Sequence, residues 1–586
     1  MSKTILNEKV LDGISLITGA GSVKIEGGNG YSLQESYEND ITIAEIMQIF
    51  PQCKNFKGSF EWGELYEDFF SDKVKGDFWI NDKTEELLGF HGYLHYPNDV
   101  MYYDGTNLCP IHLPRYRKTA ELDHYDVCIV GGGAGAMGCA YALRNKGYKV
   151  VLIEKLDSLG GTHINAPIPV LISSPITGNW FKEIVRDGYE QNRIIAYQGG
   201  KEVGSSSDKF ERLWLGSMYT TSKTVRGSQF IVPTYWTSQR YLKDLRDGGI
   251  EVLLRTEFIS SKIDPTDNKK IMGINVKNLD SGNEYYIGAE YFVDCSADGV
   301  LCRYGKKEGT DFFIGTDPKT RFNEAVYPDG YEGNRYQINC VEGGYRTVGD
   351  SYLPADKVRV EDRTKWKTFP DVYAKSNGGG SFEGHTVSST STGNSIDPHI
   401  FIDLGNDVAH SYALYRAMAH CALTTNPNNV SFAEQCKMLG IRESYRINCD
   451  KMLTQTDCGV LASSSTIASN HTIALSSWYA DIHNDPGLEG NITNSFLNEI
   501  PYESLIPSAF TNALVASRCF GCSHIAQTSF RLTRTMMSIG YAAGHAMSQC
   551  VDNWLTDVRN IDIAKLQSDV GIAELMETME TYFLNI

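Results

Sequence analysis

A short apolar run followed by small residues opens the most regular part of the chain. Asp126-Val-Cys-Ile-Val130 predicts a buried strand bounded by glycine. Small and helix-forming residues then run from Ala134 to Lys146, and Gly147 ends this predicted helix. A second apolar run, Lys149–Ile153, predicts a strand that ends at Glu154. This strand–helix–strand order within about 30 residues predicts a parallel sheet with a right-handed crossover.

A second regular region follows, and its strands are separated by turn residues. It begins with a predicted helix at about Thr237–Arg246 and a strand at Ile250–Leu254. Further strands are predicted around Ile271–Val276, Glu284–Ile287 and Tyr291–Asp294, between Asp-Pro, Asp-Asn and Ser-Gly turns. We expect these strands to form a β-meander laid over the parallel sheet.

The patterns divide the chain into four parts. Residues 1–122 are rich in aromatic residues and turn signals, which predicts a mixed or β-rich appendage of unknown role. Residues 123–320 hold the parallel sheet and the meander. Residues 321–499 carry long polar loops and helical pieces such as Ala409–Leu423, which predicts an inserted α+β substrate domain. Residues 500–586 return to the first domain with a closing strand, Asn512–Ala516, and a small-residue helix, roughly Thr533–Val551.

Composition and charge exclude several classes of protein. The chain has 586 residues, of which 41% are hydrophobic and 22% charged, as expected of folded domains. Lys and Arg number 54 against 72 Asp and Glu, and the net charge of -18 disfavours nucleic-acid and anionic-membrane partners. No apolar run approaches the roughly 18 residues that a membrane span needs, and the first residues lack a signal-peptide core. We expect a cytoplasmic protein, with homo-oligomerisation left open.

The 14 cysteines do not predict a disulfide framework or a metal site. Several of them, such as Cys128 and Cys295, lie inside apolar segments, so buried reduced thiols are expected. The one C-x-x-C pair is Cys519 and Cys522. Zinc ribbons and iron–sulfur clusters need about four ligands at set spacings, and no second pair completes such a set. We therefore expect no bound metal.

The glycines between the first strand and helix carry the clearest chemical signal. Gly131-x-Gly133-x-x-Ala136 matches the phosphate-binding turn of dinucleotide-binding proteins. Gly131 permits the tight turn, Gly133 lets the backbone approach a pyrophosphate, and Ala136 keeps the helix close to the strand. The helix N-terminus offers N–H groups to that anion. Glu154 then stands where a carboxylate accepts the ribose hydroxyls.

The glycine pattern has a second register, and it fits two cofactors. Gly133-x-Gly135-x-x-Gly138 also satisfies the spacing, but the first register places Glu154 better. NAD and FAD share these features. Gly160-Gly161, six residues beyond Glu154, favours FAD, as does the later segment from Asp294 to Asp298-Gly299.

From Asp126 to about Gly571 the sequence resembles the FAD-dependent oxidoreductases that have the glutathione-reductase-type flavin fold. The matching pieces are VGGGAGAMG (Val130–Gly138), VDCSADG (Val293–Gly299), GIRESYRI (Gly440–Ile447), IPYESLIP (Ile500–Pro507) and the segment Leu514–Ala546. The last segment keeps Arg518, Cys519, His524 and Arg531. It departs from the family at Gln527, where a second His is common.

The resemblance implies an α/β fold in which a Rossmann-like FAD-binding domain is assembled from residues 123–320 and 500–586. FAD is the implied cofactor. Residues expected to bind it are Gly131, Gly133, Ala134, Gly135, Ala136, Glu154, Lys155, Gly160, Gly161, Thr162, Asp298, Gly299, Arg518 and Gly540. Small residues at Gly540 to Gly544 also suit helix packing, and this packing role outweighs direct chemistry there.

His524 is the leading catalytic candidate, expected in a turn between a strand and a small-residue helix. A neutral imidazole there accepts a substrate proton while hydride passes to flavin N5. A structural histidine bonded to a loop carbonyl is the alternative. Arg531 and Arg534 are three apart and are expected on one helical face, Arg531 supporting charge and Arg534 forming a surface ion pair.

Other polar residues are weaker candidates for substrate contact. Arg442, Glu443 and Arg446 have the spacing of an ion pair on a helix, and this structural role is the favoured interpretation. Their match to the family's GIRE motif implies a pocket-facing role as the alternative. His163 follows Gly160-Gly161-Thr162, so it is a candidate pocket wall or covalent flavin attachment point. Two histidines in the polar insert, His385 and His399, are further candidates.

The expected activity is oxidation of a C–OH or C–N bond in a small polar metabolite by hydride transfer to flavin N5. Oxygen or a carrier is then the electron acceptor. Reduction or desaturation involving a C=C or C=O bond is the alternative within enzymes, and a non-catalytic FAD-binding subunit is the alternative outside them.

Overall fold

The computed structural model describes residues 124–165, 179–191, 234–322, 398–411, 437–458, 469–478 and 497–579, apart from a few single positions, together with shorter stretches and single strands elsewhere. The chain divides into two compact units. One comprises Met1–Asp123, Arg255–Glu257 and Val276–Tyr286, and the other comprises His124–Leu254, Phe258–Asn275 and Ile287–Ile586. The four-part division predicted from the sequence stays a prediction.

The described strands in chain order are β1 (Phe56–Glu61), β2 (Lys75–Ile80), β3 (Leu87–Gly92), β4 (Asp99–Tyr103), β5 (Leu108–His112), β6 (His124–Val130), β7 (Val150–Ile153), β8 (Val170–Ile172), β9 (Ile195–Gln198), β10 (Lys201–Val203), β11 (Gln229–Ile231), β12 (Ile250–Leu253), β13 (Thr256–Ile263), β14 (Ile271–Asn278), β15 (Glu284–Asp294), β16 (Phe312–Ile314), β17 (Val341–Glu342), β18 (Tyr345–Gly349), β19 (Val430–Gln435), β20 (Gly440–Ile441), β21 (Tyr445–Ile447), β22 (Thr472–Ser476), β23 (Asn498–Pro501) and β24 (Ala513–Val515). The described helices are α1 (Ala134–Leu143), α2 (Thr162–Asn165), α3 (Asn179–Glu190), α4 (Thr234–Asp247), α5 (Lys319–Phe322), α6 (Pro398–Leu404), α7 (His524–Phe530), α8 (Thr533–Asn553), α9 (Ile563–Asp569) and α10 (Ile572–Met579).

The first unit contains an antiparallel sheet in the simple order β1-β2-β3-β4-β5. Each strand pairs with the next strand along the chain, so this is an up-and-down meander. The sequence predicts a mixed or β-rich appendage here, and the described strands agree with the β-rich form.

The second unit is built on a parallel sheet, as the sequence predicts. Strands β12, β7, β6 and β15 lie side by side in that order, and β24 pairs with β15 on its other side. All four pairings among them are parallel. The strands are apolar and buried on both faces, which is typical of a parallel sheet covered by helices. The fold is therefore the predicted α/β class.

Helix α1 ends earlier than its composition predicts. The expected end was Lys146, but the last helical residue is Leu143. Asn145 adopts a left-handed conformation with φ 61°, and its N–H donates to the Gly248 carbonyl at 2.8 Å. This hydrogen bond to Gly248, which follows α4, thus takes the place of a further turn at the end of α1.

One long strand takes the place of two predicted strands in the meander. The sequence predicts separate strands at Glu284–Ile287 and Tyr291–Asp294, but β15 runs through both without a break. It pairs with β14, and through residues 288–294 it also pairs with β6. Continuous pairing holds Gly288 in the strand, so the meander and the parallel sheet form one seven-stranded sheet.

Helix α8 closes the second unit by packing directly on α1. A Cβ added to Gly540 of α8 would lie 1.9 Å from the Gly135 carbonyl oxygen of α1. One added to Gly544 would lie 2.4 Å from the Cys139 carbonyl oxygen. Side chains at these positions would force the helices apart, so the predicted packing role of the small residues is what the structure shows.

The remaining described strands form smaller sheets. Strands β10, β9, β11 and β8 make an antiparallel sheet in that order, and four two-stranded pairs are β16–β21, β17–β20, β18–β19 and β22–β23. The predicted helix Ala409–Leu423 lies outside the described residues beyond position 411. Within the described parts of the chain, no helix combines the length and the apolar character that crossing a bilayer requires.

Candidate functional site

The predicted glycine turn lies at the carboxyl end of β6. Gly131 has φ +93°, and a Cβ added there would lie 2.8 Å from the Ser296 backbone nitrogen. Gly133 is the N-cap of α1, and a Cβ at this glycine meets nothing closer than the Cys295 oxygen at 3.4 Å. The first residues of α1, beginning with Ala134, present the N-terminal N–H groups that bind phosphate in such turns.

The two glycines after Glu154 lie against this turn. The Gly160 N–H donates to the Gly132 carbonyl at 2.8 Å. A Cβ added to Gly161, whose φ is +59°, would lie 2.8 Å from the Gly133 Cα. Thr162 follows as the first residue of α2. The two glycine segments predicted to bind the cofactor are therefore in direct contact. A side chain at Gly161 would collide with the backbone of the first segment.

Glu154 is buried and already holds the turn in place. Its Oε2 accepts from the Gly132 N–H at 2.6 Å, and its Oε1 accepts from the Leu156 N–H at 2.8 Å. Burial raises the pKa of Glu154, while these N–H donors and the Lys155 charge counteract the rise. Each carboxylate oxygen has two acceptor positions, so both oxygens keep capacity for ribose hydroxyls.

Two residues that were separately predicted to bind the cofactor, Asp298 and Arg518, meet at the loop after β15. The Arg518 Nη2 donates to Asp298 Oδ1 at 3.0 Å. Arg518 is 8% exposed, and no described residue forms a hydrogen bond with its buried Nε. Gly299, with φ +60°, follows Asp298. Asp294 fixes this loop because its carboxylate accepts from backbone N–H groups further along it.

The tightest contact of α1 differs from the predicted one. Ala136 was expected to keep the helix close to the strand, and it is fully buried. However, a Cβ at Gly135 would lie only 1.7 Å from the Ala516 carbonyl oxygen, just beyond β24. The backbone of α1 therefore approaches the Ala516 carbonyl most closely at Gly135. Gly540 of α8 packs against Gly135 as well. Both serve packing around the turn.

His524 is the first residue of α7, whereas the sequence analysis placed it in a turn. Ser523 is the N-cap, and its side chain accepts from the Ala526 N–H at 3.1 Å. The His524 side chain is fully buried. Its Nδ1 lies 2.9 Å from Oε1 of Glu443, which is also fully buried. Because an ionised carboxylate only accepts, the imidazole carries its hydrogen on Nδ1.

Glu443 belongs to a buried network of charges around α7. The Arg446 Nε lies 3.2 Å from Glu443 Oε1, and the Arg446 Nη1 donates to Asp317 Oδ2 at 2.7 Å. Asp317 Oδ2 also accepts from the His524 backbone N–H at 3.0 Å, and Arg321 donates to Oδ1 at 2.9 Å. Burial opposes ionisation, but the Arg446 charge holds the pKa of Asp317 below its ordinary value.

The predicted ion pair at Glu443 and Arg446 is present, but not on a helix. Arg446 lies in β21, and residues 442–444 lie outside helices and strands. The carbonyl of Arg442 accepts from the Gln527 Nε2 at 2.8 Å. This contact joins Arg442, a predicted substrate residue, to α7 through its backbone.

A second buried carboxyl group lies beside the N-cap of α7. Glu324 Oε1 accepts from the Gln455 N–H at 2.8 Å and from the Ser523 hydroxyl. Within the described parts of the chain, its Oε2 is buried and has no hydrogen-bond partner. Burial raises the pKa of Glu324, and the nearby Asp317 charge adds to the rise. The Ser523 hydroxyl, the Gln455 N–H and the His524 charge act in the opposite direction.

Arg531 and Arg534 do not share a helical face, contrary to the prediction. Arg531 is the C-cap of α7, and Arg534 lies in the first turn of α8. Leu532 between them has an extended backbone, with ψ 145°, which breaks the helix. Arg534 is also buried and not on the surface as expected, and its Nη2 donates to the Ser477 carbonyl at 2.7 Å. Burial lowers the pKa of Arg534 to about 10.

The remaining candidates are placed as follows. His163 is buried in α2, directly after the glycine pair. His385 lies outside the described residues, and the side chain of His399 in α6 is likewise not described.

Cys519 and Cys522 are buried free thiols. Burial raises the pKa of Cys519 to about 12 and that of Cys522 well above its ordinary range, so neither is a thiolate. In the described part of the chain, no group of three or more His, Cys, Asp or Glu side chains is arranged to hold a metal ion.

Sequence reasoning missed Asp317 and Glu324. Each is more than 100 residues distant in sequence from its partners around α7, and no motif spacing links them. Asp317 follows the apolar run Phe312–Ile314 by three positions, and this was the available sequence signal for it.

One family of known proteins matches most of the chain. The family described as FAD dependent oxidoreductase matches residues 126–570. The chain belongs to this family. The predicted resemblance and the predicted FAD cofactor are thereby confirmed, as is the oxidoreductase class. Comparison with curated proteins finds no match.

Solved structures with similarity to this FAD-dependent oxidoreductase chain are distant. A geranylgeranyl bacteriochlorophyll reductase-like protein from Thermoplasma acidophilum is 11% identical, with 79% of this chain and 87% of that chain covered and a TM-score of 0.34. The myxobacterial chondrochloren halogenase is 12% identical, with 78% and 82% covered and a TM-score of 0.34. The glycerol-3-phosphate dehydrogenase from Bacillus halodurans, complexed with FAD, is 12% identical, with 39% and 41% covered and a TM-score of 0.23. The chain thus spans about two fifths of the Bacillus enzyme.

The residues present fit FAD. Gly131, Gly133 and Gly161 form a cradle that a Cβ would fill or strain, and Glu154 keeps acceptor capacity beside it. The buried, unpartnered Nε of Arg518 is a donor suited to a polar group of the cofactor. These contacts are the ones that the sequence predicts, and their assignment to individual parts of FAD stays a prediction.

Proposed function

We propose that this protein oxidises a C–OH or C–N bond of a small polar metabolite, with His524 as the proton acceptor. The contact between His524 Nδ1 and the Glu443 carboxylate supports this role most directly. A histidine held at one ring nitrogen by a carboxylate is fixed in orientation and tautomer, and it is stabilised when it becomes an imidazolium.

Proton transfer in this proposal uses the two ends of one imidazole. Nδ1 stays bonded to Glu443, so Nε2 is the nitrogen that takes the substrate proton. The Arg446 guanidinium lies against the Glu443 carboxylate, and Asp317 in turn balances the Arg446 charge. FAD, when bound, supplies the hydride acceptor. Oxygen or a carrier protein or molecule is the proposed electron acceptor.

In this proposal the glycine turn, Glu154 and the Arg518–Asp298 pair bind FAD. Arg531 is proposed to support charge that develops during the reaction. It lies seven residues after His524, at the C-terminal end of α7, and two helical turns place the residues on one side of that helix. Arg534 instead contacts Ser477, which leaves Arg531 as the better candidate.

The second candidate function is reduction or desaturation at a C=C or C=O bond. The His524–Glu443 pair also favours this function, because Glu443 stabilises a protonated His524 that can donate a proton to a substrate. A protein that binds FAD without turnover is the remaining possibility.

A screen for flavin reduction tests the proposal. Purified holoprotein is mixed anaerobically with a library of alcohols and amines, and absorbance of oxidised flavin is followed. We expect bleaching by at least one polar alcohol or amine. Bleaching by none of them, together with reoxidation of chemically reduced flavin by an enone or ketone, would replace the proposal with the reductase alternative.

A further inference from the structure

The amide of Gln527 is buried but only half used. Gln527 is 1% exposed, and its Nε2 donates to the Arg442 carbonyl at 2.8 Å. A carbonyl oxygen only accepts, so the nitrogen end of the amide must face Arg442. Oε1 therefore points the other way, and it is buried without a hydrogen-bond partner among the residues that the structure describes. A buried acceptor left in this state costs free energy, which a donor from a ligand would recover.

Gln527 stands directly beside the proposed base. It follows His524 by three positions in α7, so their side chains are neighbours on the helix surface, with Cβ atoms about 5–6 Å apart. Two consecutive residues, Arg442 and Glu443, hold both side chains in place. Glu443 contacts the His524 imidazole, and the Arg442 carbonyl accepts from the Gln527 amide. The acceptor Oε1 is thus held at a fixed place within reach of a molecule that contacts His524.

We propose that Gln527 binds the substrate, with Oε1 accepting a hydrogen bond from a second hydroxyl or amino group next to the oxidised carbon. This inference rests on the proposed role of His524. The implied substrate class is a polar metabolite with two neighbouring donors, such as a vicinal diol or an amino alcohol. One donor gives its proton to His524, and the other pairs with Gln527. A simple alcohol leaves Oε1 unpaired.

Binding measurements on the oxidised holoprotein test this assignment without requiring turnover. Matched probes that differ by one donor are titrated anaerobically while the visible flavin spectrum is followed. The pairs are 1,2-propanediol against 1-propanol, 2-aminoethanol against ethylamine, and 1,2-cyclohexanediol against cyclohexanol. We expect the two-donor member of at least one pair to bind about tenfold more tightly to the wild type.

Variants at position 527 separate recognition from packing. Gln527→Met keeps a similar volume and lacks the acceptor, so it should lose the preference for the two-donor probe. Gln527→His supplies one donor and one acceptor nitrogen and should retain part of the preference. Flavin content and far-ultraviolet circular dichroism are matched throughout.

Two results would overturn the assignment. One is a wild type that shows no preference, which needs no variant to establish. The other is a preference that Gln527→Met keeps, as expected if a structural water pairs with Oε1. His524→Ala should retain the preference, so failure of the proposed proton transfer and failure of this inference give different results.

Discussion

His524 Nδ1 and Glu443 Oε1 lie 2.9 Å apart, with both side chains fully buried and the Arg446 Nε 3.2 Å from the same carboxylate oxygen. A buried ionised carboxylate is stable only when it is paired and hydrogen-bonded. Arg446 and the imidazole together provide this pairing. The arrangement links the stability of the second unit to the orientation of the proposed base.

Removing Arg446 should destabilise the protein strongly. Arg446→Met leaves Glu443 and Asp317 buried without their shared cation, which costs about 3–5 kcal/mol in the free energy of unfolding. Urea unfolding of the holoprotein measures the loss. Arg559→Met is the matched control, since Arg559 pairs with Asp450 at a partly exposed site and should cost about 0–1 kcal/mol. Equal decreases in the free energy of unfolding for the two variants would contradict the proposed contribution of the buried network to stability.

Gly133→Val should abolish FAD binding while the protein stays folded. A Cβ at Gly133 meets only the Cys295 oxygen at an ordinary 3.4 Å, so the protein itself has room for a side chain. The added atoms instead occupy the expected path of the pyrophosphate. Absorbance at the flavin maximum per chain measures the cofactor. Gly147→Asn is the control, because an added Cβ there meets nothing within 4 Å and Asn tolerates the φ of +79° better than other side chains, and it should keep normal flavin content. Full flavin content in Gly133→Val would refute this site assignment.

Glu324→Gln should stabilise the protein increasingly as pH rises. The folded-state pKa of Glu324 lies above its ordinary value of 4.5, chiefly because of burial. The folded protein therefore holds this proton more tightly than the unfolded chain, and the wild type loses stability as pH rises through the folded pKa. Gln cannot ionise and escapes this loss. Groups near Glu324 include Asp317 and His524, which remain in the variant.

Thermal unfolding of holoprotein from pH 5 to pH 8 checks the Glu324 prediction. The melting temperature of Glu324→Gln minus that of the wild type should grow with pH. A difference that is flat, or that shrinks toward pH 8, would show that the carboxyl group ionises in the folded protein at no cost.

The parallel sheet and the glycine turn were predictable because their signals are local. The apolar runs at β6 and β7 and the glycines between them lie within one βαβ unit. Glu154 follows at a fixed distance along the same unit, so its place at the turn required no knowledge of tertiary contacts.

The charged network and the break after α7 were not predictable in the same way. Asp317 reaches the His524 N–H across 207 positions of sequence, and only the tertiary fold brings them together. The break at Leu532 has no glycine or proline to mark it, and the residues on both sides are compatible with a helix. The prediction that Arg531 and Arg534 share a helical face was therefore wrong, because no local sequence signal marks the end of α7.

The most direct test of the account is stopped-flow flavin reduction by the substrate under anaerobic conditions, with wild type and His524→Ala at matched flavin content. Loss of a positioned base costs about 10²–10⁴ in rate, while FAD binding is proposed to depend on other residues, the glycine turn and Glu154. We predict that His524→Ala keeps the yellow colour and the fold and slows reduction on that scale. Reduction at the wild-type rate from pH 6 to pH 9 would show that another group takes the proton.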